Sequence, residues 1–124
     1  MLTLIVHGSR LADNNACNQA LEIIKAHVGD RKDVHLILPN YEEISGVVGK
    51  IDQWARILCF QVSYFDPKRK DDGFSYRDHD KRGATMFLFP VKGRLNEVAA
   101  RLNLEAMASH TDCRTYWLES SFHG

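Results

Sequence analysis

The sequence lacks the features that mark membrane proteins, secreted proteins and proteins stabilised by a structural metal ion. None of its apolar runs approaches the ~18 residues that a membrane-spanning helix needs, and no basic segment followed by an apolar one marks a secretory signal. Its three cysteines, Cys17, Cys59 and Cys113, form no CxxC pair, so neither a disulfide framework nor a structural zinc site is expected. We therefore expect a reduced, cytoplasmic protein that needs no cofactor and contacts no membrane.

An excess of charge of either sign is also missing. The chain has 16 Lys and Arg residues against 16 Asp and Glu residues, so its formal net charge is +0. A protein held on nucleic acid mainly through phosphate contacts carries a positive excess, and no nucleic-acid partner is therefore expected. With 124 residues, 44% of them apolar, the chain predicts a single domain over 1–124.

Apolar residues recur at strand spacing and at helix spacing along the chain. Asp13, Asn14 and Asn15 are candidate N-caps for the first helix. The pattern predicts strands over 2–6, 34–38, 57–65, 85–89 and 115–118, and helices over 17–28, 44–54 and 95–106. It also places Cys59 and Trp117 in the core, and Gly46 is expected to weaken its helix by roughly 1 kcal/mol relative to alanine.

Residues 66–82, called the charged loop below, separate the third and fourth predicted strands. This segment of 17 residues contains six basic and five acidic side chains and almost no aliphatic one, so it is either a projecting loop or a segment that orders on binding. It lacks the helix that usually joins parallel strands, which favours an antiparallel pair. The expected fold is α+β, a ferredoxin-like (PII-like) split βαβ sheet with an additional N-terminal βα unit. A doubly wound parallel sheet is the alternative.

Two short segments contain candidate functional residues. His7-Gly8-Ser9-Arg10 follows the first strand and precedes a helix, a position from which backbone N–H groups and side chains reach an anion or a metal. His7 is a candidate ligand or base there, and Arg10 is a candidate carboxylate or phosphate ligand. An ordinary turn needs the same Gly and Ser. The charged loop also contains the polar segment Tyr76-Arg77-Asp78-His79-Asp80. These side chains serve either to recognise a small charged ligand or to keep the loop soluble.

The second half of the chain resembles the phage S-adenosylmethionine lyases, also called hydrolases. The shared features are Tyr76-Arg77 followed by an acid, the Thr-led strand 85–89, Lys92 before Leu95-Asn96, Asp112-Cys113, and Ser120 shortly before His123-Gly124. The first strand followed by Arg10 and Asn14 is loosely similar.

This resemblance implies a PII-like fold, a homo-oligomer that is usually a trimer, and an anti-restriction role. The implied reaction splits S-adenosylmethionine into methylthioadenosine and homoserine lactone. The substrate's own carboxylate attacks, so the protein mainly holds a reactive conformer. Tyr76 and Asp78 are the implied catalytic residues, with Asp80 an alternative for the acid that the family places before the next strand. The implied substrate-binding residues are Ser9, Arg10, Arg77 and Ser120.

The first half instead resembles the short CbiX-type chelatases of cobalt and sirohydrochlorin. The strand that ends in His-Gly-Ser-Arg, a nearby asparagine and a following helix carry this resemblance, together with Pro90-Val91-Lys92-Gly93. It implies His7 and His79 as metal ligands, whereas the lyase needs no metal. A third hypothesis is a non-catalytic binding or inhibitor protein whose charged loop docks on a partner.

Overall fold

Seven regular elements make up the part of the chain that this computed structural model describes, which is residues 1–10, 12–40, 45–65, 84–91 and 112–119. The charged loop and the helix predicted over 95–106 lie outside these residues. In chain order the elements are β1 (Leu2–Gly8), α1 (Asn14–Val28), β2 (Val34–Pro39), α2 (Gly46–Ile57), β3 (Gln61–Phe65), β4 (Thr85–Phe89) and β5 (Asp112–Thr115).

The described strands form one five-stranded sheet in the order β3-β2-β1-β4-β5, with every pairing parallel. The central strand β1 pairs Leu4 with Leu36 of β2 and with Thr85 of β4. The predicted ferredoxin-like (PII-like) α+β fold is therefore wrong, because β4 pairs with β1 and not with β3. The fold is α/β with the strand order 3-2-1-4-5 of a Rossmann-like sheet, which agrees with the alternative of a doubly wound parallel sheet.

The length of the connection between β3 and β4 explains why the prediction failed. A parallel return requires enough chain to travel back along the sheet, whether or not that chain is helical. The chain between Phe65 and Thr85 can span roughly 60 Å when extended, several times the ~17 Å length of a typical strand. The missing helical pattern in the charged loop was therefore weak evidence for an antiparallel pair.

The apolar pattern of the strands contained the correct signal. All six residues of β2 and all five of β4 are buried, and so are six of the seven residues in β1. Strands that are buried on both faces have continuous apolar runs, which are typical of parallel sheets, whereas half-exposed antiparallel strands alternate.

The two described helices pack on the same face of the sheet, called the first face below. Both helices contribute buried residues to one core with Leu4 and Val6 of β1. On the opposite, second face, Ile5 packs with Ile37, Met86 and Leu88, and neither α1 nor α2 contributes a buried residue to this cluster. His7 alternates with Leu4 and Val6 along β1 and therefore also lies on the second face.

Residues 57–59 end α2 instead of beginning β3. Ile57 is 73% exposed and Leu58 is 49% exposed. Cys59 is exposed as well, which corrects the expectation that it is a core thiol. The Cys59 N–H donates to the Arg56 carbonyl at 3.1 Å, and the Phe60 N–H donates to the Ala55 carbonyl at 3.0 Å. This pair of hydrogen bonds is a Schellman motif, in which Cys59 has the left-handed φ of 58° that glycine usually adopts.

We expect Cys59→Gly to raise the free energy of unfolding by about 0.5–1 kcal/mol, because glycine adopts the left-handed conformation without the cost that a Cβ imposes. Cys59→Ala is the matched control, since alanine removes the thiol but keeps the strain, and its stability should stay close to that of the wild type. Urea unfolding under reducing conditions measures both variants. Equal stability of the glycine and alanine variants would contradict the assignment of strain to this residue.

None of the helices in the described segments is both long and apolar enough to cross a membrane.

Candidate functional site

The strand order reverses between β1 and β4. The chain leaves β1 towards β2 and β3 on one side of the sheet and returns to β4 on the other. In open α/β sheets such a reversal leaves a crevice at the carboxyl ends of the two strands, where ligands bind. Here the Ser9 N–H donates to the Phe89 carbonyl at 3.0 Å and joins the two strand ends. We call these two strand ends, with the half-buried Ser9, the exposed Arg10 and the buried Phe89 and Pro90, the switch-point crevice.

The start of α2 lies directly against the chain that follows β1. The Val47 N–H donates to the Ser9 carbonyl at 3.2 Å. A Cβ on Gly8 would lie 2.5 Å from the Cβ of Val47, and a Cβ on Gly46 would overlap the Ser9 carbonyl oxygen and lie 2.7 Å from the Cα of Arg10. Glycine at both positions therefore allows α2 to approach the crevice closely.

Helix α1 also begins at this edge of the sheet. The Asp13 carboxylate accepts a hydrogen bond from the Ala16 N–H at 2.8 Å. Asp13, one of the three candidates that the sequence offered, is therefore the N-cap. Cys17, one turn along, is buried, and burial together with the Asp13 charge raises the pKa of its thiol. The thiol of Cys17 is thus held in its neutral form beneath the start of the helix.

His7 forms part of the wall below the crevice and not its open surface. His7 is only 1% exposed, and its register partner on β4 is Leu88. Burial lowers the pKa of His7 from 6.5 to about 4, so the imidazole is neutral at pH 7. A neutral, enclosed imidazole is suited to packing and to hydrogen bonding within the protein.

Ser9 and Arg10 are the predicted substrate-binding residues that lie in the described part of the chain. Ser9 is half-buried and Arg10 is exposed, and both lie in the switch-point crevice. The remaining predicted site residues lie outside the described part of the chain; they are Tyr76, Arg77, Asp78, His79, Asp80 and Ser120. Among residues 1–10, 12–40, 45–65, 84–91 and 112–119, no group of three or more His, Cys, Asp or Glu side chains is placed to hold a metal ion.

Trp117 corrects another prediction, because its hydrophobic neighbours suggested a core residue. It is 54% exposed, whereas Leu118 beside it is 2% exposed. It follows β5 at the carboxyl edge of the sheet, next to the end of β4. The predicted last strand is also shifted, since β5 ends at Thr115 and only Leu118 forms a further bridge, to Val91.

Two polar clusters that the sequence interpretation did not identify lie elsewhere in the sheet. Tyr64 donates to the Asp52 carboxylate at 2.6 Å, and Arg56 contacts both groups, which ties α2 to the edge strand β3. The spacing of Asp52 and Arg56, four residues apart on a helix, was the available signal. On the second face, the Nε2 of His35 and the Oγ of Ser63 are 2.8 Å apart. Parallel pairing of β2 with β3 brings these two together, which no local pattern indicates.

Comparison of the chain with models of protein families, with curated proteins and with solved structures finds no match.

Proposed function

We propose that this chain binds the carboxylate or phosphate of a small molecule in the switch-point crevice. The observation that carries the proposal is the reversal of strand order beside the segment of Ser9 and Arg10. Arg10 is exposed there, and its guanidinium is suited to bidentate contact with an anion. The close approach of α2, which Gly8 and Gly46 allow, narrows the surface on which a ligand can lie.

S-adenosylmethionine is the ligand that we propose, and its cleavage is the reaction. In this reaction a carboxylate oxygen of the substrate attacks the γ-carbon of its own methionine moiety, and the bond from that carbon to sulfur breaks. The sulfur keeps the electron pair and leaves as neutral methylthioadenosine, while the remainder closes as homoserine lactone. The protein has to orient the carboxylate, a role suited to Arg10. Tyr76 and Asp78 remain the proposed catalytic residues from the sequence resemblance.

We also propose that the protein acts in the cytoplasm. Its three cysteines are free, which is typical of proteins in a reducing compartment. A homo-oligomer also remains proposed, but the trimer was implied together with a PII-like fold and loses that support.

Chelation of a metal into a tetrapyrrole receives less support from the described residues. That hypothesis needs the imidazole of His7 to reach a metal ion in a large planar ligand. Since His7 is 1% exposed and lies within the sheet, its environment favours a core side chain. The switch-point crevice offers Arg10 to a small anion instead, so anion binding is the function that the geometry supports best.

We expect Arg10→Ala to weaken the binding of S-adenosylmethionine roughly 10-fold, which is the usual size of a lost charge-assisted hydrogen bond. Isothermal titration calorimetry measures the effect. Arg31→Ala is the matched control, because Arg31 is exposed and pairs with Asp33 at 3.0 Å beyond the far end of α1, at the opposite edge of the sheet. Its affinity should equal that of the wild type. Absence of binding by the wild type, or an equal loss in both variants, would refute the proposed site.

The reaction is tested separately by incubating the protein with S-adenosylmethionine and measuring methylthioadenosine by chromatography. Formation above the spontaneous rate supports the lyase. Binding without product would support S-adenosylmethionine as the ligand and contradict its cleavage by this protein.

A further inference from the structure

Trp117 is a large aromatic side chain that lies exposed where its neighbours are packed. The ring of Tyr116 stacks on that of Phe89 with 5.7 Å between the ring centroids, on the first face of the sheet. Leu118 is buried in the same core as Phe89. Because side chains alternate along an extended chain, Trp117 lies on the side of the second face. Its 54% exposure leaves a broad indole surface at the carboxyl edge.

The backbone on both sides of Trp117 is firmly attached to β4. The Tyr116 N–H donates to the Leu88 carbonyl at 2.9 Å, and the Leu118 N–H donates to the Pro90 carbonyl at 2.8 Å. The indole is therefore presented from a fixed segment of backbone. A rigid aromatic group loses little conformational entropy when a ligand packs on it.

The segment of Trp117 and the end of β1 both hydrogen-bond to the carboxyl end of β4, at neighbouring residues and from opposite sides. Ser9 donates to the Phe89 carbonyl from one side, and the segment of Trp117 donates to the Pro90 carbonyl from the other. The end of β1 and the end of β5 are thus two strand spacings apart, roughly 10 Å. This span matches a small molecule whose anionic group and ring are joined by a sugar or a short chain.

We infer that Trp117 stacks on the planar ring of a ligand whose carboxylate or phosphate lies in the switch-point crevice. The inference rests on the proposed function and assigns a position to the ring of its ligand, whose class is a nucleoside that bears an anionic group. An indole face stacks on any planar base, and it also attracts a positive centre such as a sulfonium. S-adenosylmethionine and adenosine 5′-monophosphate share the ring and the anion, and the sulfonium distinguishes the two.

The test uses the fluorescence of Trp117 in a Trp54→Phe background. Trp54 packs on Phe60 with 5.4 Å between their ring centroids, at the carboxyl end of α2 and away from the crevice, so its replacement should not affect binding. The probes are S-adenosylmethionine, adenosine 5′-monophosphate, methionine, which has the anion without the ring, and methylthioadenosine, which has the ring without the anion. Either complete ligand should quench the emission, and the ligand that binds more tightly identifies the natural class.

We expect Trp117→Ala to weaken binding of the complete ligand about 10-fold, because stacking of one base on an aromatic side chain contributes that order of affinity. Trp117→Phe should restore the affinity to within about 3-fold, since it keeps an aromatic face. Methionine should bind the alanine variant and the wild type equally, as measured by calorimetry.

Two outcomes overturn the inference, and they are distinguishable. If Trp117→Ala binds S-adenosylmethionine and adenosine 5′-monophosphate as the wild type does, while Arg10→Ala still binds them weakly, the stacking role is wrong and the proposed function stands. If the wild type binds neither complete ligand nor methionine, the proposed function is wrong and the inference is lost with it.

Discussion

Gly46→Ala is expected to lower the free energy of unfolding by about 3 kcal/mol. Two costs combine. Gly46 has φ +63°, which a residue with a Cβ adopts at a cost, and the new methyl group would overlap the Ser9 carbonyl oxygen. Neither the oxygen nor the nearby Cα of Arg10 belongs to a flexible side chain, so α2 or the end of β1 has to shift. Urea unfolding measures the loss.

Gly29→Ala separates these two costs. Gly29 also has a positive φ, +59° with ψ −131°, but a Cβ there would meet nothing within 4 Å. We expect this control to lose about 1–2 kcal/mol, the cost of its positive-φ conformation alone. The difference between the variants then measures the crowding at the crevice. Equal losses would contradict the close approach of α2 to Ser9 and Arg10.

The second large effect is a dependence of stability on pH that originates at His7. The folded protein holds the pKa of His7 at about 4, against 6.5 in the unfolded chain, because burial disfavours the imidazolium. Between these two values the unfolded state binds more protons, so the free energy of unfolding falls as the pH falls. Above pH 6.5 the contribution is fully present, and by pH 4 about 3 kcal/mol has been lost.

Urea unfolding at intervals from pH 7 to pH 4 tests this expectation with a His7→Gln variant, whose side chain does not titrate. The wild type should lose about 3 kcal/mol more than the variant over this range. His27→Gln is the control, because His27 is only half-buried and packs edge-on against Phe87 with 5.0 Å between ring centroids. Burial also lowers the pKa of His27, but it should account for a smaller part of the slope. Parallel curves for the wild type and His7→Gln would show that His7 does not titrate as a buried group.

The candidate site shows which parts could be predicted from local sequence. The order of apolar and polar residues predicts a strand that ends in His7-Gly8-Ser9-Arg10. It also predicts a helix cap within residues 13–15. The structure has both. Gly46 was interpreted as a cost to its helix, whereas its conformation permits contact with Ser9. That contact joins residues far apart in the chain, so no local pattern could indicate it.

Trp117 and Cys59 were both placed in the core because their neighbours are apolar. Local hydrophobicity cannot distinguish a buried residue from an exposed one that interrupts a packed segment. Trp117 lies exposed between Tyr116 and the buried Leu118, and Cys59 caps α2 in a conformation that glycine normally adopts. Exposure at these positions depends on which elements pack above them.

The sequence by itself determined the described helices, most of the strand positions and the polar turn after β1. These features depend on spacing within a few residues, which the chain specifies directly. Only the tertiary structure decided that β4 pairs with β1, that the sheet is parallel, and that the strand order therefore reverses beside Ser9 and Arg10. Strand pairing between distant segments depends on burial of both faces of the sheet and on the reach of the connections. The continuous apolar run of a single strand indicates burial on both faces, but it does not specify which strand becomes its neighbour.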